Sequence, residues 1–212
     1  MEIEYNKKEK RKILVIGVGG IGSYLVPLLH KSWCYDIHIA DNDVVEVKNL
    51  LYQNYKQRDI DDLKITGMKK LLQSTKHDFD VGLIESQMSK YQVLTAKQLQ
   101  GYDLVICCAD NLAVRKLLYS QGFGDNAKIK WLDLRAQGRN GALISYLTDE
   151  KFSETFLNGP EGSFSCQGDG FNTSLNTKDL HFTHVAIAGY GAQWIHRWFN
   201  GDDVGDKFII NI

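Results

Sequence analysis

Ile13-Leu14-Val15-Ile16-Gly17-Val18-Gly19-Gly20-Ile21-Gly22-Ser23 is the stretch that decides the fold of this chain. Ile13 to Ile16 is apolar without alternation, as a buried strand requires, and a helical pattern runs from Ser23 to Lys31. Strand, glycine turn and helix N-terminus in that order make a phosphate cradle, because the helix's unpaired amides and its dipole face an anion together. Gly17, Gly19, Gly20 and Gly22 form that cradle. Nucleotide binding follows. The pattern alone does not separate a dehydrogenase from a methyltransferase or an adenylating enzyme.

The alternation continues outward. Strands are expected at Ile37 to Ala40, Val81 to Glu85, Leu104 to Cys108, Trp131 to Leu134 and Ala142 to Leu147. Helices are expected at Leu63 to Ser74, Leu94 to Gln100, Arg115 to Tyr119 and His181 to Phe199, with Pro27 tolerated near the first turn of its helix. This predicts an α/β fold: a doubly wound, Rossmann-like, mostly parallel sheet with helices on both faces, right-handed crossovers, and ligands at the strands' carboxyl ends. Glycine, proline and polar residues between Thr148 and Asp179 read as a long loop, and residues 1–212 as one domain.

A chain of 212 residues with 43% hydrophobic and 24% charged residues can bury a full core. A net charge of −1 gives no reason to expect nucleic acid. No apolar run approaches the roughly 18 residues of a membrane span, and Lys7, Lys8, Lys10, Arg11 and Lys12 lack the apolar core of a signal peptide, so the expectation is cytoplasmic with no membrane partner. Four scattered cysteines without a C-x-x-C pair fit neither a disulfide framework nor a four-cysteine zinc site.

Asp41 follows Gly22 by 19 positions, where a carboxylate can accept from ribose hydroxyls; a plain strand-end turn is the alternative. Asp41-Asn42-Asp43-Val44-Val45-Glu46-Val47-Lys48-Asn49-Leu50-Leu51-Tyr52-Gln53 resembles the D-x-D-x-V-x-x-x-N-L-x-R-Q segment of the ThiF/MoeB family, adenylating enzymes related to ubiquitin-activating enzymes. Asp59-Ile60-Asp61-Asp62-Leu63-Lys64 resembles that family's D-I-G-x-x-K element, and Asp103 to Arg115 its strand ending in T-D-N-x-x-x-R. Four elements in order cover residues 12–147, whereas dehydrogenases share only the first.

The resemblance implies ATP and Mg2+ as cofactors, a ubiquitin-like or sulfur-carrier protein as partner, and a homodimer. It assigns Asp41, Asp43, Asn49 and Asn111 to nucleotide binding, Lys64 to the β- and γ-phosphates, and Asp110 to magnesium, with Arg115 bracing the Asp110 loop. Read as residues, Lys64 could instead be a solvated helix lysine, and Asp110 could cap the next helix. Tyr52 stands where relatives carry a phosphate-touching arginine, so one positive charge must come from elsewhere, with Lys56 and Arg58 nearby. An N-terminal helix that sends an arginine into a partner's site is also missing from the pattern, and no metal beyond magnesium is implied.

Cys166 lies where some relatives place a thioester-forming cysteine, and an ordinary loop thiol is the other reading. Cys107 and Cys108 end a buried strand, so at least one of them reads as a small core residue, and His181, His184 and His196 read as structural. Arg135, Gln137, Arg139 and Asn140 could grip a carboxylate tail or be turn residues. The last helix carries Ala186, Ala188, Gly189, Gly191 and Ala192 beside Tyr190, Trp194, Trp198 and Phe199, which suits close core packing, a dimer interface or a protein dock.

Overall fold

The computed structural model describes residues 10–32, 34–73, 82–83, 94–123, 127–157, 166–167 and 180–212. Most of the expected loop, residues 158–165 and 168–179, lies outside them, as do parts of the expected third strand and Ser74.

Seven strands form one sheet in the order β3-β2-β1-β4-β5-β6-β7. They are β1 Arg11–Ile16, β2 Tyr35–Ala40, β3 Gly82–Leu83, β4 Leu104–Cys107, β5 Trp131–Gln137, β6 Asn140–Ser145 and β7 Lys207–Asn211. The first five run parallel, with Ile16 opposite Ala40 on one side and Cys107 on the other. Beyond them β6 and β7 are antiparallel. β7 went unread in the sequence because a five-residue strand exposed at alternate positions has little apolar signal. The helices are α1 Gly22–Lys31, α2 Lys64–Gln73, α3 Leu112–Gly122, α4 Glu150–Thr155 and α5 Thr183–Phe199. The segment expected to be helical at Leu94–Gln100 is a short 3-10 turn, Ala96–Leu99.

β1 is apolar at consecutive positions because both its faces are covered. Ile13 and Val15 join the layer of α1, α2 and α5, while Leu14 and Ile16 join that of α3. Pro27 sits beyond the first turn of α1, contrary to the expectation, and cannot bond the Ser23 carbonyl. The Asn54 amide does so instead at 3.2 Å. On α5, Ala188 and Gly191 are buried, Gly191 against Leu134 of β5, while Ala186 and Gly189 are exposed. Trp194 is buried and donates to the Gly205 carbonyl, and Tyr190 stacks on Phe208 of β7.

The chain leaves β1 toward β2 and β3 and returns to β4 on the other side, so the switch point lies between β1 and β4. There Gly17 has φ +86, and a Cβ on it would stand 2.6 Å from the Ala109 nitrogen. A Cβ on Gly22 would overlap the Gly17 carbonyl oxygen, a backbone atom held in the same turn. Gly22→Ala is therefore expected to cost about 3 kcal/mol in urea unfolding, the upper range for overpacking; a loss under about 1 kcal/mol would mean the turn opens without strain.

Candidate nucleotide site

The glycine turn is held from below by side chains. Asp41, following β2, accepts from the Val18 amide at 2.7 Å through Oδ2 and from the Asp43 amide at 2.9 Å through Oδ1. Burial raises its carboxyl, against the pull of Lys64 and the two amides. The Tyr55 hydroxyl donates to the Val18 carbonyl at 2.7 Å. Sequence reading passed over Tyr55, since a tyrosine anchoring a backbone carbonyl has no spacing signature. The Val18 amide is spent on Asp41 and the Ser23 amide on the Gly19 carbonyl, so Ser23 is not available to phosphate through its N–H. The Gly19, Gly20 and Ile21 amides have no acceptor among the described residues, and these remain for an anion.

Lys64 is brought over the turn by an antiparallel stretch in which its amide bonds the Asp43 carbonyl and Val45 bonds Asp62. Its ammonium lies 3.0 Å from Asp43 Oδ2 and 3.9 Å from where a Cβ on Gly19 would be. The side chain is buried, not a solvated helix lysine. Burial pulls its pKa down, but Asp41, Asp43 and Asp110 more than offset this, so Lys64 is held above the usual lysine value and stays charged.

Across the switch point, Asn111 caps α3, its Oδ1 accepting from the Ala113 amide at 2.8 Å. Its side-chain oxygen is committed to the helix. The capping role thus falls to Asn111, and Asp110 is exposed at the end of β4, within electrostatic reach of Lys64. Among the described residues no cluster of three or more His, Cys, Asp or Glu could hold a metal alone. One carboxylate beside a phosphate cradle fits magnesium, which takes most of its ligands from phosphate and water.

Asn49 is also committed, with Oδ1 accepting from the Glu46 amide and Nδ2 donating to the Tyr52 hydroxyl at 3.4 Å. Its buried side chain shapes the turn instead of reaching openly toward phosphate. Tyr52 lies near Lys64 and Cys166. A second cation, Lys48, ion-paired to Glu46 at 2.6 Å, lies near both Tyr52 and Lys64. Lys56 is exposed, and exposed Arg58 sits 3.9 Å from Asp59.

Cys166 is not an open loop thiol. A Cβ on Gly20 would lie 2.5 Å from its Sγ, and burial pushes the thiol up to about 11. The Arg115 side chain is turned to the sheet, its Nε donating to buried Asp133 at 3.0 Å. Arg135 donates to the same carboxylate at 2.7 Å, so it is not free to grip a substrate tail. Arg139 bonds the Ile212 carbonyl and Asn140 the Asn211 side chain, tying both to β7. His181 precedes α5 and does not share a helix face with His184.

The site therefore gathers the glycine turn, Asp41, Asp43, Lys64, Asp110 and Cys166, with no helix among the described residues long and apolar enough to cross a membrane. Among known proteins, the chain is similar to an adenylyltransferase and sulfurtransferase UBA4 of Lodderomyces elongisporus, 35% identical over 114 residues, 53% of this chain and 24% of that protein. It is 30% identical over 118 residues to a ubiquitin-activating enzyme E1-like protein of Saccharomyces cerevisiae, covering 54% of this chain and 18% of the relative. The chain thus spans about a quarter or less of these relatives' length. In fold it is similar to E. coli MccB solved with ATP, with a TM-score of 0.69, 15% identity, and coverage of 95% of this chain and 60% of that one. The ThiF family model matches residues 2–204, and the chain belongs to the ThiF family.

Proposed function

We propose that the chain uses MgATP to adenylate the C-terminal carboxylate of a ubiquitin-like or sulfur-carrier protein, releasing pyrophosphate. The observation that carries this is a charged Lys64 held by Asp43 over the glycine turn, facing Asp110 across the switch point. The relatives named as adenylyltransferases and the ATP-bound MccB structure support the choice of ATP.

The substrate carboxylate oxygen attacks the α-phosphorus, the bond to the bridging oxygen of the β-phosphate breaks, and pyrophosphate departs with the electron pair. No side chain need act as nucleophile. The Gly19 to Ile21 amides hold phosphate oxygens, and Lys64 offsets charge building on the leaving group. Bound magnesium, held at Asp110, would neutralise further phosphate charge. Lys48 supplies positive charge on the side where relatives carry the arginine replaced by Tyr52. A neutral Cys166 thiol would have to lose its proton before accepting an acyl group, so the reading ends at the adenylate. A homodimer working in the cytoplasm is part of the same proposal.

Tyr52 favours a second reading, a nucleotide-binding scaffold without turnover. Asp110→Ala separates the two. In the enzyme, calorimetric titration with MgATP should show binding weakened at least about tenfold, with adenylate formation lost and carrier binding kept. A variant that binds MgATP as tightly as the parent would remove Asp110 from the metal, and tight binding of NAD but not ATP would overturn the reading.

A further inference from the structure

His184, the second residue of α5, is fully buried and joins four parts of the site. Its Nε2–H donates to the Tyr52 carbonyl at 2.7 Å, and its ring lies 5.7 Å from that of Tyr24 on α1. Its Cβ stands 3.9 Å from where a Cβ on Gly20 would be. With Nε2 protonated, Nδ1 accepts from the Gln167 side-chain amide at 3.5 Å. Gln167 is itself clamped, donating to the His181 carbonyl at 3.0 Å and accepting from the His181 amide at 2.9 Å. The Gly138 amide bonds the Cys166 carbonyl at 3.1 Å. Together these contacts seat Cys166 Sγ on Gly20.

We propose that neutral His184 is the positioning residue that holds the Cys166 thiol against the glycine turn, and that acid releases the thiol by protonating Nδ1. A protonated Nδ1 can no longer accept from Gln167. It becomes a donor competing for the His181 carbonyl that Gln167 now uses. Burial lowers the His184 pKa, opposed by the Tyr52 and His181 carbonyls, and an α-helix N-terminus disfavours the cation. The titratable groups facing it are the Tyr24 phenol on α1, the Tyr52 phenol and the Cys166 thiol; burial raises all three, so they are neutral near pH 7. His181 meets it through backbone. With the folded pKa below the ordinary 6.5, the clamp is complete above about pH 6.5 and is lost as pH falls through the folded value. The inference concerns the apo site and stands apart from adenylation.

The test labels the full chain, without nucleotide, with 4,4′-dithiodipyridine from pH 7.5 to 5.5 and maps each cysteine by mass spectrometry. Exposed Cys34 is the reference and buried Cys107 reports global unfolding. The Cys166 to Cys34 ratio should rise about tenfold or more toward pH 5.5, because release returns the thiol from about 11 toward its ordinary value of 9.0. In His184→Gln the ratio should be independent of pH, and in Gln167→Leu already high at pH 7.5. A level ratio in the parent chain, an acid rise retained in His184→Gln, a parental ratio in Gln167→Leu at pH 7.5, or a rise shared with Cys107 overturns the proposal.

Discussion

Lys64→Met is expected to lower ATP–pyrophosphate exchange by about 100- to 1,000-fold, the loss that follows removal of one preorganised charge from a developing anion. Methionine keeps the buried stem and removes only the ammonium. Asp41, Asp43 and Asp110, which Lys64 now balances, would then face the phosphates without it. Binding of MgATP should weaken less than exchange, because the charge on pyrophosphate grows as the bond breaks. Urea unfolding should also show some loss of stability, since the carboxylates more than offset desolvation of the ammonium and buried Asp41 would lose its counter-charge, so exchange is compared with the parent under conditions where both are folded. Exchange within about threefold of the parent chain would remove Lys64 from the chemistry.

Asp133→Leu is expected to destabilise the fold by about 3–5 kcal/mol. Asp133 is completely buried and accepts from Arg115, Arg135 and the Tyr119 hydroxyl. Burial pushes its carboxyl up, but Arg115 and Arg135 together hold it below the usual carboxylate value. Removing the carboxylate leaves the Arg115 guanidinium buried without its counter-charge, the costly half of an ion pair. The sign in pH follows: the contribution is complete above the ordinary 3.8 and is lost as pH falls through the lower folded value. Adding Arg115→Met should recover a large part of the loss; strict additivity of the two changes would show that they do not interact. Because Arg115 lies on α3, whose cap adjoins Asp110, the single variant should also weaken MgATP binding.

The parallel half of the sheet was legible because β1 and β4 are apolar at consecutive positions, which only double burial explains. Asp43, Lys64 and Asp110 were legible as motif members, and folding brings them together through the 43–45 and 61–64 pairing and the switch point. The commitments of individual atoms were not legible. Asn111 caps a helix, Asn49 shapes a turn and Arg135 serves Asp133, and each uses groups the sequence seemed to offer a ligand. Tyr55 was missed for the converse reason, because its role depends on the Val18 and Lys64 carbonyls, which no motif spacing marks. Cys166 changed character: a polar loop composition suggested exposure, but the thiol lies against Gly20 and the residue is only partly exposed.

The most direct measurement of the central claim is exchange of labelled pyrophosphate into ATP by the full chain, with purified ubiquitin-like and sulfur-carrier proteins added one at a time. Exchange that requires magnesium and a carrier with an intact C-terminal carboxylate, and is abolished by Asp110→Ala, is the expected result. Intact MgATP binding with no exchange in the presence of any carrier would contradict it.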